Sequence, residues 1–187
     1  MKNLKNTLIL VFAISILGGY TANAQSKYID KKGKIVFEAS EKLFEEVKAQ
    51  TESATAIFDS ETNQIASLAL VKGFRFKNSL MQEHFNENYI ESDTYPKATF
   101  KGKLIDFDAS KLSETPSQVS VDGKMKLHGK EKDIRTDLLI YKKDDSIVME
   151  GGFKVKPEDF DISIPKIVRN KIAKEVLVQI NFNLIKK

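Results

Sequence analysis

The chain has 187 residues, 30 Lys and Arg against 26 Asp and Glu, a net charge of +4, and no cysteine. The missing cysteine excludes a disulfide framework, a thiol nucleophile and a lipid-modified cysteine near the N-terminus. Basic clusters such as Lys31, Lys32, Lys34 and Lys186-Lys187 are short, and most lysines are interleaved with acids; this describes a solvated surface, and no nucleic-acid partner is expected.

Residues 1–24 stand apart. Lys2 and Lys5 precede the apolar run LILVFAISIL at 8–17, and Ala22-Asn23-Ala24 follows. This is the three-part pattern of a secretory signal peptide, with cleavage expected between Ala24 and Gln25. Taking 24 from 187 leaves a mature chain of 163 residues, and losing Lys2 and Lys5 lowers the net charge from +4 to +2. The run is shorter than the ~20 residues that cross a bilayer, and no other stretch approaches that length, so a membrane-spanning chain is not expected. Residues 25–187 read as a single domain, exported to the periplasm or beyond.

Period-two alternation dominates the mature chain and predicts half-buried strands. Ile35, Phe37 and Ala39 share one face. Ala54, Ala56 and Phe58 lead to the turn-rich DSETNQ at 59–64, and IASLALVKGFRF at 65–76 reads as the return strand of a hairpin. EKLFEEVKAQ at 41–50 is a candidate helix or a distorted strand. NSLMQEHF at 78–85 is the better helix, with Ser79 and Gln82 at capping-box spacing and Met81 and Phe85 on one face.

From Pro96 the alternation is cleaner. Proline is confined to strand starts, edges and bulges, so Tyr95-Pro96 predicts the start of a strand in which Phe100, Gly102 and Leu104 face inward. Val119, Val121, Gly123, Met125 and Leu127 form the apolar face of the next strand, and HGKE at 128–131 turns the chain. Ile134, Thr136, Leu138 and Ile140 share a face; a turn at 144–145 precedes Ile147, Met149, Gly151, Phe153 and Val155; Val176, Val178, Ile180, Phe182 and Leu184 close the series.

About eight antiparallel strands at this spacing predict an all-β sandwich or barrel. Small residues at inward positions, such as Ala54, Ala56, Gly102, Gly123 and Gly151, have two readings. In a barrel of about eight strands they leave room for one small ligand. Alternatively they mark bends, with the phenylalanines filling the space above them.

Catalytic constellations are sparse. There is no Gly-x-Ser-x-Gly elbow, no phosphate-cradling loop and no His-Glu-x-x-His pair. His84 ends the short helix, where it caps carbonyls or lines a pocket mouth; His128 falls on the polar face beside a turn and reads as solvated. Asp106/Asp108 and Asp159/Asp161 have same-face spacing but sit near strand ends, where acids serve turns. No cofactor, metal or enzyme is expected from these residues.

Four segments, taken in order, resemble the YceI-like family of exported bacterial proteins described as binding lipids or polyisoprenoids. YPKATFKG at 95–102 resembles its tyrosine-proline signature and VDGKMKLHGKEKDI at 121–134 its glycine-containing hairpin. EGGFKVKPEDFDIS at 150–163 and LMQEHFNENY at 80–89 are similar to two further family segments. The resemblance implies an eight-stranded antiparallel barrel of lipocalin-like shape with one or two short helices, an apolar tunnel for a long-chain ligand, and a homodimer. The family's histidine-containing opening is here GKIVFEASEKLF at 33–44, without histidine.

The two readings converge on an apolar sleeve, because an isoprenoid or acyl chain offers almost nothing to hydrogen-bond. The lining is expected from Phe37, Phe58, Leu68, Leu70, Phe74, Met81, Phe85, Phe100, Met125, Leu138, Met149, Phe153, Ile180 and Phe182. Flexible methionine thioethers suit ligands of varied shape. The expected function is non-catalytic carriage or storage of an apolar lipid or isoprenoid. A cell-envelope interaction protein using the barrel as a scaffold is the alternative, and an enzyme using His84 with a nearby carboxylate is a third reading.

Overall fold

The computed structural model describes residues 27–41 and 43–187, so the expected signal peptide and its cleavage site lie outside the described residues. Among the described residues nine strands succeed one another: β1 (Lys27–Ser40), β2 (Lys48–Asp59), β3 (Gln64–Leu70), β4 (Arg75–Phe76), β5 (Lys97–Leu104), β6 (Ser117–Leu127), β7 (Lys130–Lys143), β8 (Ser146–Val155) and β9 (Ile172–Lys186). They are joined in the order β1-β9-β8-β7-β6-β5-β3-β2, every pair antiparallel, and β1 pairs back to β2. This closes an eight-stranded barrel, which leaves no long unpaired edge to be managed. The short β4 adds to β2 through Ala49↔Phe76.

Local chemistry accounts for the joins. His128 (φ 49°) and Gly129 (φ 74°) make the tight β6–β7 turn, since both central residues of a type I′ turn need positive φ. Gly129 is doubly constrained: a Cβ there would lie 2.9 Å from the Tyr95 ring. In β1 the register shifts on either side of Gly33. The buried Asp30 repairs the interrupted ladder, its carboxylate accepting from Lys32 N at 2.7 Å and Asn183 N at 2.8 Å.

Three expectations are corrected. The described part of 41–50 is not a helix. Ala39 N donates to Val47 O and Val47 N to Ser40 Oγ, so the β1–β2 hairpin runs through this stretch and strand pairing overrides helix propensity. The return strand expected over 65–76 stops at Leu70, where Val71 N donates to Pro96 O and a 3-10 turn at Val71–Gly73 redirects the chain into β4. The single α-helix among the described residues, α1 (Ser79–His84), is capped by Asn78, whose side chain accepts from Leu80 N and Met81 N, while Gln82 Oε1 accepts from Phe76 N instead of completing a capping box. A π turn, Phe85–Tyr89, extends α1.

The interior is uneven along its axis. At one end Phe58, Leu104, Ile140, Met149 and Leu184 are at most 1% exposed and pack solidly. At the other end the inward-facing side chains do not meet.

Candidate functional site

That unfilled end is a cavity of about 470 Å³, within the range of ligand sites in proteins. Its walls are the inner faces of β1 (Ile35, Phe37, Ala39), β3 (Ile65, Ser67, Ala69), β5 (Ala98, Phe100), β6 (Val121, Met125, Leu127), β7 (Ile134, Thr136, Leu138), β8 (Phe153, Val155) and β9 (Val176, Val178, Ile180, Phe182). Three segments roof it: the β1–β2 loop through Phe44, Glu45 and Val47; α1 and its π turn through Met81, His84, Phe85 and Tyr89; and the β8–β9 segment through Phe160, Ile162, Ile164, Val168 and Lys171. Among the described residues Ser67 and Thr136 are the only hydroxyl side chains on the inner wall, and Thr136 Oγ1 already donates to Gly152 O at 3.0 Å. Charged groups of the described chain enter only at the roof.

Aromatic rings fix the roof. Phe85 stacks on Phe37 and Phe76, ring centroids 5.2 Å apart in each case, and Phe74 lies 5.3 Å from Phe37. Pairs of this kind contribute about 0.5–1.5 kcal/mol each beyond area burial, so α1 is held to the barrel through Phe85, the first residue of the π turn that extends it. A second fastening sits at the β6–β7 turn. His128 is not solvated as its strand face suggests: its side chain is 9% exposed, its ring lies edge-on to Tyr95 at 4.4 Å, and Nδ1 donates to Phe160 O at 2.9 Å. Lys130 pairs with Asp161 at 2.7 Å, and this hydrogen-bonded ammonium holds the Asp161 carboxyl below its ordinary range. Tyr95, the residue before the Pro96 that leads into β5, thereby joins the roof to the turn.

Of the fourteen side chains expected to form the lining, ten come together on the cavity: Phe37, Phe74, Met81, Phe85, Phe100, Met125, Leu138, Phe153, Ile180 and Phe182. Phe58 and Met149 point inward but lie in the solid end, fully buried. Leu68 and Leu70 face outward, because Ile65, Ser67 and Ala69 take the inner face of β3, and Leu70 is 52% exposed. The inward glycines do not themselves supply the space. A Cβ on Gly102 or Gly123 would lie 2.8 or 2.5 Å from the Phe100 ring, and one on Gly33 2.4 Å from Phe182. Room arises instead where small residues face each other across a ladder, as Ala69 and Ala98 do. The lining from Phe160 to Ile172 has no period to reveal it, and only Phe160 and Ile162 fall inside the family-like segment 150–163.

A YceI-like domain profile matches residues 20–184. The chain belongs to the YceI-like family. No curated protein matches it. Among solved structures, this YceI-like chain is similar to a polyisoprenoid-binding domain from Saccharophagus degradans implicated in plant cell wall breakdown (15% identity, 87% of this chain and 99% of that one, TM-score 0.74). It is also similar to Burkholderia cenocepacia BcnA (16%, 83% and 98%, TM-score 0.68) and to the Campylobacter jejuni YceI protein (19%, 75% and 86%, TM-score 0.57). At these identities the likeness is one of fold. The family's barrel survives the divergent opening, since Ile35, Phe37 and Ala39 still supply one cavity wall. Among the described residues no helix is long and apolar enough to cross a membrane.

Proposed function

We propose that this YceI-like protein is an exported, non-catalytic binding protein that holds a long apolar chain, an isoprenoid or another lipid, in the capped half of its barrel. The observation that carries the reading is the cavity: a sleeve of aliphatic and aromatic side chains, with hydroxyls few on its walls and charge confined to its roof. Such a lining has little to offer a polar substrate, whereas apolar area leaving water contributes about 25 cal/mol per Å². The polyisoprenoid-binding description of the Saccharophagus domain supports the ligand class. The signal-peptide pattern of residues 1–24 supports export, and residues 25–187 are read as one domain. The ten converging side chains are the proposed contacts; Phe58, Met149, Leu68 and Leu70 are not.

The test is solvent extraction of protein purified from its native compartment, followed by mass spectrometry. An isoprenoid or acyl lipid in stoichiometric amount is expected. Protein that yields no lipid and does not enhance the fluorescence of the apolar probe N-phenyl-1-naphthylamine would overturn the reading.

A further inference from the structure

Each of the three roof segments carries a large apolar side chain in water. Leu43 in the β1–β2 loop is 92% exposed, Ile167 in the β8–β9 segment 84% and Leu80 on α1 55%. A single exposed leucine is ordinary, but these three belong to segments that send Phe44, Val168 and Met81 into one cavity, so they ring its roof. Charge accompanies them. Residues 162–174, ISIPKIVRNKIAK, hold Lys166, Arg169, Lys171 and Lys174 and no acid. Among the described residues none of these four lies within ion-pair distance of a carboxylate; Arg169 donates instead to Ile164 O. On the other two roof segments Glu46 pairs with Lys77 at 2.7 Å and Glu45 accepts from Asn78 Nδ2, while Glu83 and Glu87 of α1 and its π turn are exposed and in no ion pair among the described residues, so the positive charge gathers on the β8–β9 side of the roof.

We propose that this roof is a docking surface for an anionic phospholipid bilayer, with Leu43, Leu80 and Ile167 entering the interface and the 166–174 cations facing the headgroups. Exposed apolar tips flanked by lysine and arginine are what interfacial binding requires, since burial of the tips and attraction to anionic lipid add together. The proposal rests on the carrier reading: an apolar chain resides in bilayers, and a mouth seated on one passes the chain without exposing it to water.

Flotation of the protein with vesicles tests it, comparing phosphatidylcholine alone with phosphatidylcholine mixed with phosphatidylglycerol. Binding is expected only to the anionic vesicles and is expected to weaken in high salt. Lys166→Gln with Lys174→Gln should weaken it about fivefold per charge removed. Leu43→Ser with Ile167→Ser should reduce it while leaving uptake of N-phenyl-1-naphthylamine unchanged, which also shows that the variant folds. No preference for anionic vesicles, or wild-type flotation by both double variants, would overturn the proposal. So would self-association that Ile167→Ser abolishes, without vesicle binding, which makes the roof an interface between copies. Loss of docking with probe uptake intact leaves the carrier reading standing. Vesicle binding by a protein that takes up no probe upholds the docking surface and removes the carrier reading.

Discussion

The Phe100 ring lies across two glycines on neighbouring strands, and this contact decides what their backbones tolerate. A Cβ on Gly123 would sit 2.5 Å from Lys101 O and 2.6 Å from Gly102 Cα, both backbone atoms that cannot swing aside. Gly123→Ala is therefore expected to lower unfolding free energy by roughly 1–3 kcal/mol in a denaturant titration; wild-type stability would mean that the ladder yields. Surface acids act differently. Asp137 accepts from Ser120 Oγ at 2.6 Å and Gln118 Nε2 at 2.8 Å, donors that hold its carboxyl below the ordinary 3.8. A depressed folded-state value means that the stabilisation is whole above pH 3.8 and is lost as pH falls through the folded value. Asp137→Asn should flatten the acid limb of a stability-against-pH curve, by a small, salt-sensitive amount because the group is exposed. An unchanged acid limb would show that the two donors favour the unfolded chain equally.

Among the elements, the strands were legible and the roof was not, for a physical reason. Alternation reports which face a side chain takes, and it placed the inner residues of β6, β7, β8 and β9 correctly. It carries no information about height along the barrel axis, so Phe58 and Met149 had the right face and the wrong end. It also fails where both faces are apolar: in IASLALVK the phase of β3 is set by its ladder to β5, where Ser67 meets Phe100 and Leu68 meets Thr99. The roof depends on contacts between segments distant in sequence, such as Phe85 with Phe37. Phe85 touches three rings, Phe37, Phe74 and Phe76. At about 0.5–1.5 kcal/mol for each aromatic pair, Phe85→Ala should loosen α1 well before the barrel unfolds. Amide exchange should then quicken across residues 79–90 while strands β6 to β9 keep their protection. Uniform acceleration through the whole chain would instead mean that roof and barrel form one cooperative unit.

The whole molecule separates two tasks along one axis, since the solid end supplies packing and the hollow end forgoes it. Met149, fully buried among Phe58, Ile140 and Leu184, belongs to the first. Truncating it opens a void in a packed region, so Met149→Ala should cost about 2–5 kcal/mol. The cavity wall lies further along β8, at Phe153 and Val155, so uptake of N-phenyl-1-naphthylamine by the folded variant should stay close to wild type. Ala98 belongs to the second end. It faces Ala69 across the β3–β5 ladder, both on the cavity wall, and a larger side chain there grows into existing space rather than into neighbours. Ala98→Leu is therefore expected to hold or raise the melting temperature, because it buries apolar area without overpacking, while displacing the volume that a ligand would fill. Measured together, the two variants should move in opposite senses, one losing stability and keeping uptake, the other keeping stability and losing uptake. If Ala98→Leu lost stability as Met149→Ala does, the hollow end would be as tightly determined as the solid one, and the cavity would be no reserve for a guest.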